Sequence, residues 1–598
     1  MKATNIRNFA IIAHIDHGKS TLADRIMSQT QTVSDRDSQA QLLDDMAVEQ
    51  AHGVTVKSRT VRNFYQAGDG QEYEYNLIDT PGHVDFSYEV SKSLAASDGA
   101  ILLVDATQGV QAQTVANWRL AQQNGLAILP VVNKIDSAAA DVARTVAQIQ
   151  ALDASLATVS PLLISAKTGQ GVHAVLEAIK TVFPAPTGSA TAPLKALVFD
   201  SLYDPFKGII AYVRIADGQL KSGMANQLMA AQTTLTNKEI GTFTPQMTPV
   251  QTLGVGEVGY VVTGLKDPQL LRVGDTLTSQ AQPTANPFPG YQPAQAMVFA
   301  GFYPKDQAYH DLQLAIEKLA LNDSSFQYQA EVSEALGPGF RCGFLGIFHL
   351  QIIRERLQDE YGLSVLTTAP NVTYRVHLKG QDAPVLVNNP INFPDFAAVD
   401  FVEEPFAKAT ITTPSETLGA VMQLADNHKG QLVDMANQGE LVVIHYRLPF
   451  AEIAYDFFNA LKSITHGYAT LETRFDDYDL ADVVKVEVHI NYAKVDALSF
   501  VVHREDAPAM TQKLVHQLKY TVPRKLYPMP AQAVVEGKPL ARVDIPPLRK
   551  NAAVNGEKRS LSKKQALLRR QSVNKRQAAY SDITLSQDVF NAILELSL

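Results

Sequence analysis

The chain has 598 residues, a formal net charge of −9 and a single cysteine, Cys342. The length predicts about four domains, and one cysteine excludes a disulfide framework and is typical of the reducing cytosol. No apolar run approaches the roughly 20 residues of a membrane-spanning helix, so an integral membrane protein is excluded.

The charge is unevenly distributed along the chain. Residues 541–580 contain eleven Lys or Arg against two acidic residues, Asp544 and Glu557. A basic arm on an acidic body predicts a polyanionic partner, nucleic acid first and an anionic membrane surface second. A solvated helix with a long charged face is the alternative.

Residues 1–184 alternate apolar strands with helical patterns, which predicts the doubly wound parallel sheet of a P-loop domain. The predicted strands are Phe9–Ala13, Tyr73–Ile78, Ala100–Val104, Leu126–Val132 and Leu162–Ile164. The predicted helices are Thr21–Ser28, Val84–Ala96, Gln113–Gln123 and Ala139–Leu152.

The rest of the chain predicts four further domains. Short strands with turn signals over 191–282 indicate a β-barrel. Residues 294–380 and 400–480 each indicate a ferredoxin-like α+β domain, with helices near Gln307–Ala320, Gly346–Tyr361, Ser415–Asn427 and Phe450–Lys462. Residues 481–598 begin with strands at Val483–Ile490 and Val495–Val502 and a helix at Met510–Leu518, and end in the basic arm.

Residues 13–21 read AHIDHGKST between the first strand and the first helix. Such a loop presents backbone N–H groups and a helix N-terminus to phosphate oxygens. Lys19 can reach the β- and γ-phosphates, and the Ser20 hydroxyl can ligate Mg²⁺. The first Gly of the usual phosphate-loop pattern is replaced by Ala13. The pattern predicts nucleoside triphosphate binding, with a chance helix start as the alternative.

Two further segments predict a response to the γ-phosphate. The Thr55 hydroxyl can complete Mg²⁺ coordination only when the triphosphate is present, which makes a switch. Asp79 ends a strand and can hold Mg²⁺ through water, while the Gly82 N–H can meet a γ-phosphate oxygen. His83 follows directly and can orient an attacking water, with a surface histidine as the alternative.

Residues 133–136 read NKID after another strand and predict guanine recognition. The Asp136 carboxylate can accept both guanine donors, N1–H and N2–H₂, and a buried carboxylate would lie unpaired opposite adenine. Asn133 can brace the loop, and the Lys134 stem can cover the base. Ser165, Ala166 and Lys167 form a short loop whose backbone N–H can meet guanine O6.

These motifs, in this order, resemble those of the translational GTPases. The downstream segments are similar to the elongation factor 4 (LepA) family, namely LALNDS at 319–324, GFRCGFLG at 339–346, TTAP at 367–370, VDAL at 495–498 and LRKN at 548–551. The resemblance covers essentially the whole chain. It implies that Asp16, His17, Gly18, Lys19, Ser20 and Thr21 bind GTP together with Asn133, Lys134, Ile135 and Asp136, and that His83 positions the water.

The resemblance also implies a cytoplasmic monomer that works on the ribosome. Its expected contacts are tRNA and ribosomal RNA, including the GTPase-activating region, with peripheral association at the cytoplasmic face of the membrane. The expected activity is ribosome-dependent GTP hydrolysis with Mg²⁺, linked to back-translocation of tRNA under stress. The family carries two arginines where this chain has Gln50 and His52. A GTP-dependent ribosome- or membrane-binding module with little turnover is therefore the alternative.

Overall fold

A computed structural model describes the chain except for residues 1, 15, 34–47, 50–54, 56, 82–85, 154, 158, 205, 266, 268–269, 292–295, 306–307, 324, 439–440, 454–456, 466–467, 526, 549–587 and 591–598. Among the described residues, no helix combines the length and the apolar character needed to cross a membrane.

The N-terminal domain is a doubly wound α/β domain, as predicted. Its strands are β1 (Ile6–Ala13), β2 (Arg59–Gln66), β3 (Glu72–Asp79), β4 (Gly99–Asp105), β5 (Ala127–Asn133) and β6 (Leu162–Leu163). Its helices are α1 (Lys19–Gln29), α2 (Ser87–Ala95), α3 (Ala112–Gln123), α4 (Val142–Leu152) and α5 (Val172–Val182). The sheet order is β2-β3-β1-β4-β5-β6, with β2 antiparallel and the other strands parallel.

Helices cover both faces of this sheet, which explains why β1 and β4 are buried along their whole length. Successive side chains of a strand point to opposite faces. Phe9 and Ile11 therefore pack with α1 and α5 on one face, while Ala10 and Ile12 pack with α2, α3 and α4 on the other.

The second domain is a β-barrel of antiparallel strands. These are β7 (Lys195–Asp204), β8 (Gly208–Asp217), β9 (Leu220–Lys221), β10 (Ala225–Leu228), β11 (Thr233–Thr236), β12 (Glu239–Phe243), β13 (Met247–Val250), β14 (Thr252–Leu253), β15 (Val258–Val262) and β16 (Thr276–Ser279). Eight pair in the order β11-β10-β16-β7-β8-β15-β12-β13, and β9 pairs with β14. Both sheets contribute to one apolar cluster, the barrel interior. Tyr212 and Tyr260 on the outer face pack against Ile78 and Ala96 of the N-terminal domain.

The third domain has the β-α-β-β-α-β order of a ferredoxin-like fold. Its elements are β17 (Val298–Pro304), α6 (Tyr309–Asn322), β18 (Gln327–Ser333), β19 (Gly337–Phe344), α7 (Ile347–Tyr361) and β20 (Val365–Thr367), with the strands ordered β18-β19-β17-β20. Both helices pack on one core that contains Cys342.

The fourth unit repeats this arrangement and carries an additional hairpin. Its elements are β21 (Tyr374–Leu378), β22 (Val385–Val387), β23 (Val399–Pro414), α8 (Leu418–Asn427), β24 (Gln431–Gln438), β25 (Leu441–Pro449), α9 (Phe450–Glu452), α10 (Phe458–Ile464) and β26 (Thr470–Leu480). β23 pairs with β25 and β26, while β21 pairs with β22 and the first residues of β23. The assignment of residues up to 380 to the third domain is therefore wrong for Tyr374–Leu378, which extends the fourth sheet instead.

The fifth unit is a four-stranded antiparallel sheet covered by one helix. Its elements are β27 (Val483–Ile490), β28 (Ala493–His503), α11 (Ala507–Thr521), β29 (Met529–Val535) and β30 (Lys538–Ile545), in the sheet order β28-β27-β29-β30. Val589 and Phe590, beyond the basic arm, are buried in its core. Residues 549–587, which include most of the basic arm, lie outside the described part of the chain.

A partly buried ionic cluster joins the fourth and fifth units. His503 lies 2.8 Å from Glu404 Oε1 through Nε2 and 3.2 Å from Glu452 Oε1 through Nδ1. Lys429 Nζ lies 2.6 Å from Asp506 and 3.3 Å from Glu452. Burial opposes protonation of the imidazole, but hydrogen bonds to Glu404 and Glu452 raise the pKa of His503 to about 9. The protonated imidazole therefore connects β28 to β23 and α9.

This cluster predicts a pH dependence of stability. The pKa of His503 is raised above its unfolded value, so its contribution is fully present below pH 6.5 and disappears as the pH rises through about 9. From the size of the shift, that contribution is about 2 to 3 kcal/mol at neutral pH. We expect the unfolding temperature of the wild type to fall between pH 7 and 9.5, and His503→Gln to be less stable at pH 7 with a much smaller fall.

His516→Gln is the matched control, because His516 is exposed on α11. Its unfolding temperature should follow the wild type at every pH. An identical pH dependence in His503→Gln and the wild type would contradict the assignment.

Candidate functional site

The predicted nucleotide motifs meet at one edge of the N-terminal sheet. The described parts of these motifs follow β1, β3, β5 and β6, at residues 14 and 16–21, 80–81, 134–136 and 164–167. Since these strands are parallel neighbours or next neighbours, their carboxyl ends lie side by side. This is the edge at which doubly wound sheets bind ligands.

The phosphate loop ends in a glycine that cannot be replaced without strain. Gly18 has φ +93°, and a Cβ there would lie 2.5 Å from Asn133 Nδ2. Helix α1 begins at Lys19, and Leu22 N donates to Gly18 O in its first turn. The N–H groups of Lys19, Ser20 and Thr21 therefore lie in the first turn, where a helix has no acceptors of its own to offer. Such an end binds anionic oxygens.

Lys19 connects the phosphate loop to both segments predicted to sense the γ-phosphate. Its Nζ lies 2.7 Å from Asp79 Oδ1 and 2.8 Å from Thr55 Oγ1. All three residues are buried: Lys19 is 8%, Thr55 3% and Asp79 0% exposed. A buried ammonium needs compensating charge, and the Asp79 carboxylate provides it.

The same geometry is compatible with a divalent cation. The oxygens of Thr55 and Asp79 already converge on one positive atom, the Lys19 ammonium, and Ser20 is the next residue along the helix. Hydroxyl and carboxylate oxygens are the hard ligands that Mg²⁺ prefers.

Asn133 links the loop predicted to recognise the base, residues 133–136, to the phosphate loop by hydrogen bonds. Its Nδ2 donates to His17 O at 2.9 Å, and its Oδ1 accepts from Ala166 N at 2.9 Å. The side chain is 2% exposed, so it braces three loops from the inside. Ile135 N adds a further bond by donating to Ile164 O.

Lys134 and Asp16 adopt left-handed backbone conformations, with φ of +61° and +62°. Neither is glycine, so both conformations carry strain. Lys134 Nζ donates to Asp16 O at 2.6 Å and lies 2.7 Å from Asp105 Oδ2. The two strained residues are thus held against each other across the site.

Asp136 is exposed in this structure, in contrast to the buried carboxylate expected from the sequence. It lies early in the loop between β5 and α4, where a bound base would itself cover the carboxylate. A hydrogen bond from the buried Ser165 lowers the pKa of Asp136, and the exposed Lys167 lowers it further. The carboxylate is therefore ionised and ready to accept two hydrogen bonds.

His17 serves the loop as a neutral hydrogen-bond acceptor. It is fully buried, and burial lowers its pKa to about 3, with a further contribution from His14. The Asp105 backbone N–H donates to its Nδ1 at 3.2 Å. The two histidine rings meet edge to face, with centroids 5.1 Å apart.

Two residues that position these loops were not predicted from the sequence. Asp105 ends β4, accepts from Thr107 N and pairs with Lys134; its place at the end of an apolar strand, like that of Asp79, was an available signal. Arg25 of α1 donates to Ala166 O at 3.1 Å and Lys167 O at 2.7 Å. No short motif marks that arginine. Gly82, His83, Gln50 and His52 lie outside the described residues.

Three family models match parts of the chain. The family model of the elongation factor Tu GTP binding domain matches residues 4–185, that of the elongation factor G C-terminus residues 401–489, and that of the GTP-binding protein LepA C-terminus residues 490–595.

Several relatives match the chain over essentially its full length. "Elongation factor 4 2" of Lactiplantibacillus plantarum is 66% identical, with 100% of both chains covered. The elongation factor 4 of Bacillus subtilis is 46% identical, covering 100% of this chain and 97% of the relative. That of Streptococcus gordonii is 48% identical, covering 99% and 98%.

A crystal structure from Thermus thermophilus has a similar fold, with a TM-score of 0.58 at 20% identity, covering 80% of this chain and 97% of that one. Together with the five-unit architecture, the family models and the full-length relatives show that the chain belongs to the elongation factor 4 (LepA) family of translational GTPases.

Proposed function

We propose that this GTPase hydrolyses GTP to GDP and phosphate when it is bound to the ribosome, and that hydrolysis accompanies a backward step of tRNA under stress. The observation that carries the proposal is the convergence of Lys19, Thr55 and Asp79 at the phosphate loop. The ribosome and tRNA are proposed from the names of the relatives, which are elongation factors. We further propose that the protein acts as a monomer in the cytoplasm.

The phosphate end of GTP is proposed to lie on residues 16–21, with Gly82 N–H donating to a γ-phosphate oxygen. Lys19 then turns from Thr55 and Asp79 to the β- and γ-phosphates. Ser20, Thr55 and Asp79, the last through water, are proposed to hold Mg²⁺, which when bound neutralises charge on the phosphate oxygens. The base end is proposed to lie on Asn133, Lys134, Ile135 and Asp136, with the backbone of Ser165, Ala166 and Lys167 facing guanine O6.

Hydrolysis is an in-line displacement at the γ-phosphorus. The oxygen of a water molecule attacks that atom, the bond to the β–γ bridging oxygen breaks, and GDP leaves with the electron pair. We assign His83 to orient this water, because it follows directly on the residue that faces the γ-phosphate. P-loop GTPases hydrolyse slowly until a partner completes the site, and the proposed partner here is ribosomal RNA of the GTPase-activating region.

Two alternatives remain distinct from this proposal. A GTP-dependent binding module with little turnover is favoured by the absence of the two family arginines at Gln50 and His52. Peripheral contact with an anionic membrane surface is favoured only by the eleven basic residues of the arm. The first alternative predicts no increase in phosphate release when ribosomes are added.

The role of His83 predicts a selective defect in turnover. His83→Ala should bind GTP like the wild type but lose ribosome-stimulated phosphate release by about 100-fold or more, since a positioned acid–base group contributes roughly 10²–10⁴-fold. His310→Ala, which removes an exposed histidine of α6, is the control and should keep full stimulation. Stimulated turnover at the wild-type rate in His83→Ala would refute the assignment.

The role of Asp136 predicts a change of base preference. Asp136→Asn should weaken GTP binding by about 100-fold, because two charge-assisted hydrogen bonds are lost, and should improve binding of xanthosine triphosphate, whose O2 accepts from the new amide. Equilibrium titration with fluorescent nucleotides measures both.

Asp141→Asn is the control for this change. Asp141 accepts from Arg144 N at the start of α4, and asparagine caps a helix equally well. Tight GTP binding by Asp136→Asn would show that another group reads the base.

A further inference from the structure

The short segment that follows Thr55 contacts several parts of the protein at once. Thr55 Oγ1 accepts from Lys19 Nζ of the phosphate loop at 2.8 Å. Ser58 Oγ accepts from Ser93 Oγ of α2 at 2.7 Å. Between them, the Lys57 backbone N–H donates to Glu49 Oε1 at 3.1 Å. Three neighbouring residues thus link the phosphate loop to the helix that follows the Asp79 segment.

The side chain of Lys57 reaches out of its own domain. Its Nζ donates to Ser201 O of β7 in the barrel at 3.0 Å and to Asn322 O at the end of α6 in the third domain at 3.1 Å. Its side chain is only 17% exposed. One ammonium therefore joins three domains. Its two acceptors, Ser201 O and Asn322 O, lie 144 and 265 residues after Lys57 in the sequence.

A buried carboxylate of the barrel lies beside the same ammonium. Asp200, 6% exposed, lies 3.8 Å from Lys57 Nζ through Oδ2 and 3.8 Å from Lys92 Nζ through Oδ1. Lys92 belongs to α2 and also pairs with Glu89 at 2.5 Å. The Asp200 carboxylate of the barrel thus lies between Lys57, two residues after Thr55, and Lys92 of α2.

The third domain is attached to the same junction. Asn322 Oδ1 accepts from Tyr203 N of β7 at 2.8 Å, which fixes the end of α6 to the barrel. Val48 and Phe86 of the N-terminal domain pack with Ile352 of α7, and Phe348 packs against them. A shift of the Thr55 segment therefore affects its contacts with both the barrel and the third domain.

Thr55 and Lys57 are closely coupled along the chain. Two residues of extended chain span at most about 7 Å, so a backbone shift of Thr55 toward another ligand reaches Lys57 through a single intervening residue. Displacing the ammonium leaves the carbonyls of Ser201 and Asn322 without this donor, which is unfavourable at these partly buried positions. The position of Thr55 and the docking of the two domains are thus energetically linked.

We propose that Lys57 is a positioning residue that makes the arrangement of the barrel and the third domain depend on where Thr55 is held. With Thr55 on Lys19, as in this structure, the ammonium docks on Ser201, Asn322 and Asp200. With Thr55 at a triphosphate, that docking changes, and the two domains reorient relative to the nucleotide site. The inference rests on the proposed function, because it takes Thr55 to be the residue that senses the γ-phosphate.

The test is a distance measurement between spin labels in the full-length protein. Labels at Gln66→Cys in the N-terminal domain and Asp359→Cys in the third domain occupy exposed positions. The native Cys342 is buried, and burial raises the pKa of its thiol, so it will not compete for label. Distances are recorded with GDP and with a non-hydrolysable GTP analogue, each with Mg²⁺.

Lys57→Met is the key variant, because it keeps an unbranched side chain only one atom shorter and removes its charge. We expect the wild type to show different distances with the two nucleotides, and Lys57→Met to show the same distance distribution with both. Lys57→Arg should recover the difference at least in part. Lys207→Met, which removes an equally charged barrel residue paired with Glu239, should behave like the wild type.

Nucleotide affinity and ribosome-stimulated phosphate release separate this inference from the proposed function. All variants should bind both nucleotides within about threefold of the wild type. A full nucleotide-dependent shift in Lys57→Met, or no shift in a wild type that binds GTP and is stimulated by ribosomes, would overturn the role of Lys57 alone. Absence of ribosome stimulation in the wild type would overturn the proposed function instead, whatever the distances show.

Discussion

The buried ammonium of Lys19 is the constraint on which the nucleotide site depends. A charge of this kind is stable inside a protein only beside a compensating charge, and removing the partner of a buried pair costs about 3 to 5 kcal/mol. Lys19 therefore holds the Asp79 strand end and the Thr55 segment close to the phosphate loop. Phosphate oxygens are the natural competitors for this ammonium, because they offer negative charge at the helix N-terminus where Lys19 begins α1.

The loop proposed to bind the base is held by several hydrogen bonds to neighbouring loops. Asn133 bonds to the loops on both sides of it, and Lys134 and Asp16 are kept in left-handed conformations by their mutual hydrogen bond. Such conformations cost roughly 1 to 3 kcal/mol each and persist only where the surroundings enforce them. The loop that carries Asp136 is therefore preorganised, whereas the contacts of Lys19 can be exchanged when phosphates arrive.

The sheet could be predicted from the sequence because its pattern of apolar residues is simple. Strands β1 and β4 are apolar along their whole length, since helices cover both of their faces. Strand β2 (Arg59–Gln66) was not predicted because its pattern is inverted: Asn63 is buried and bonded to Val61 O and Tyr75 O, whereas Phe64 is exposed under Arg62. No alternation of apolar and polar residues marks such a strand.

The junction around Lys57 was beyond sequence reasoning for a different reason. A single lysine and a single aspartate 143 residues later form no local motif, and only the packing of three domains brings Lys57 near Asp200. The proximity of Asp136 to Ser165, in contrast, could be predicted, because each follows one of two neighbouring parallel strands.

A structure determined with a non-hydrolysable GTP analogue and Mg²⁺ tests the central claim most directly. We predict that guanine lies against Asp136 and that Lys19 Nζ lies within hydrogen-bond distance of the β- and γ-phosphates. Thr55 and Asp79 should be turned toward the metal site. A nucleotide bound elsewhere, or Lys19 still bonded to Thr55 and Asp79 with the nucleotide in place, would contradict it.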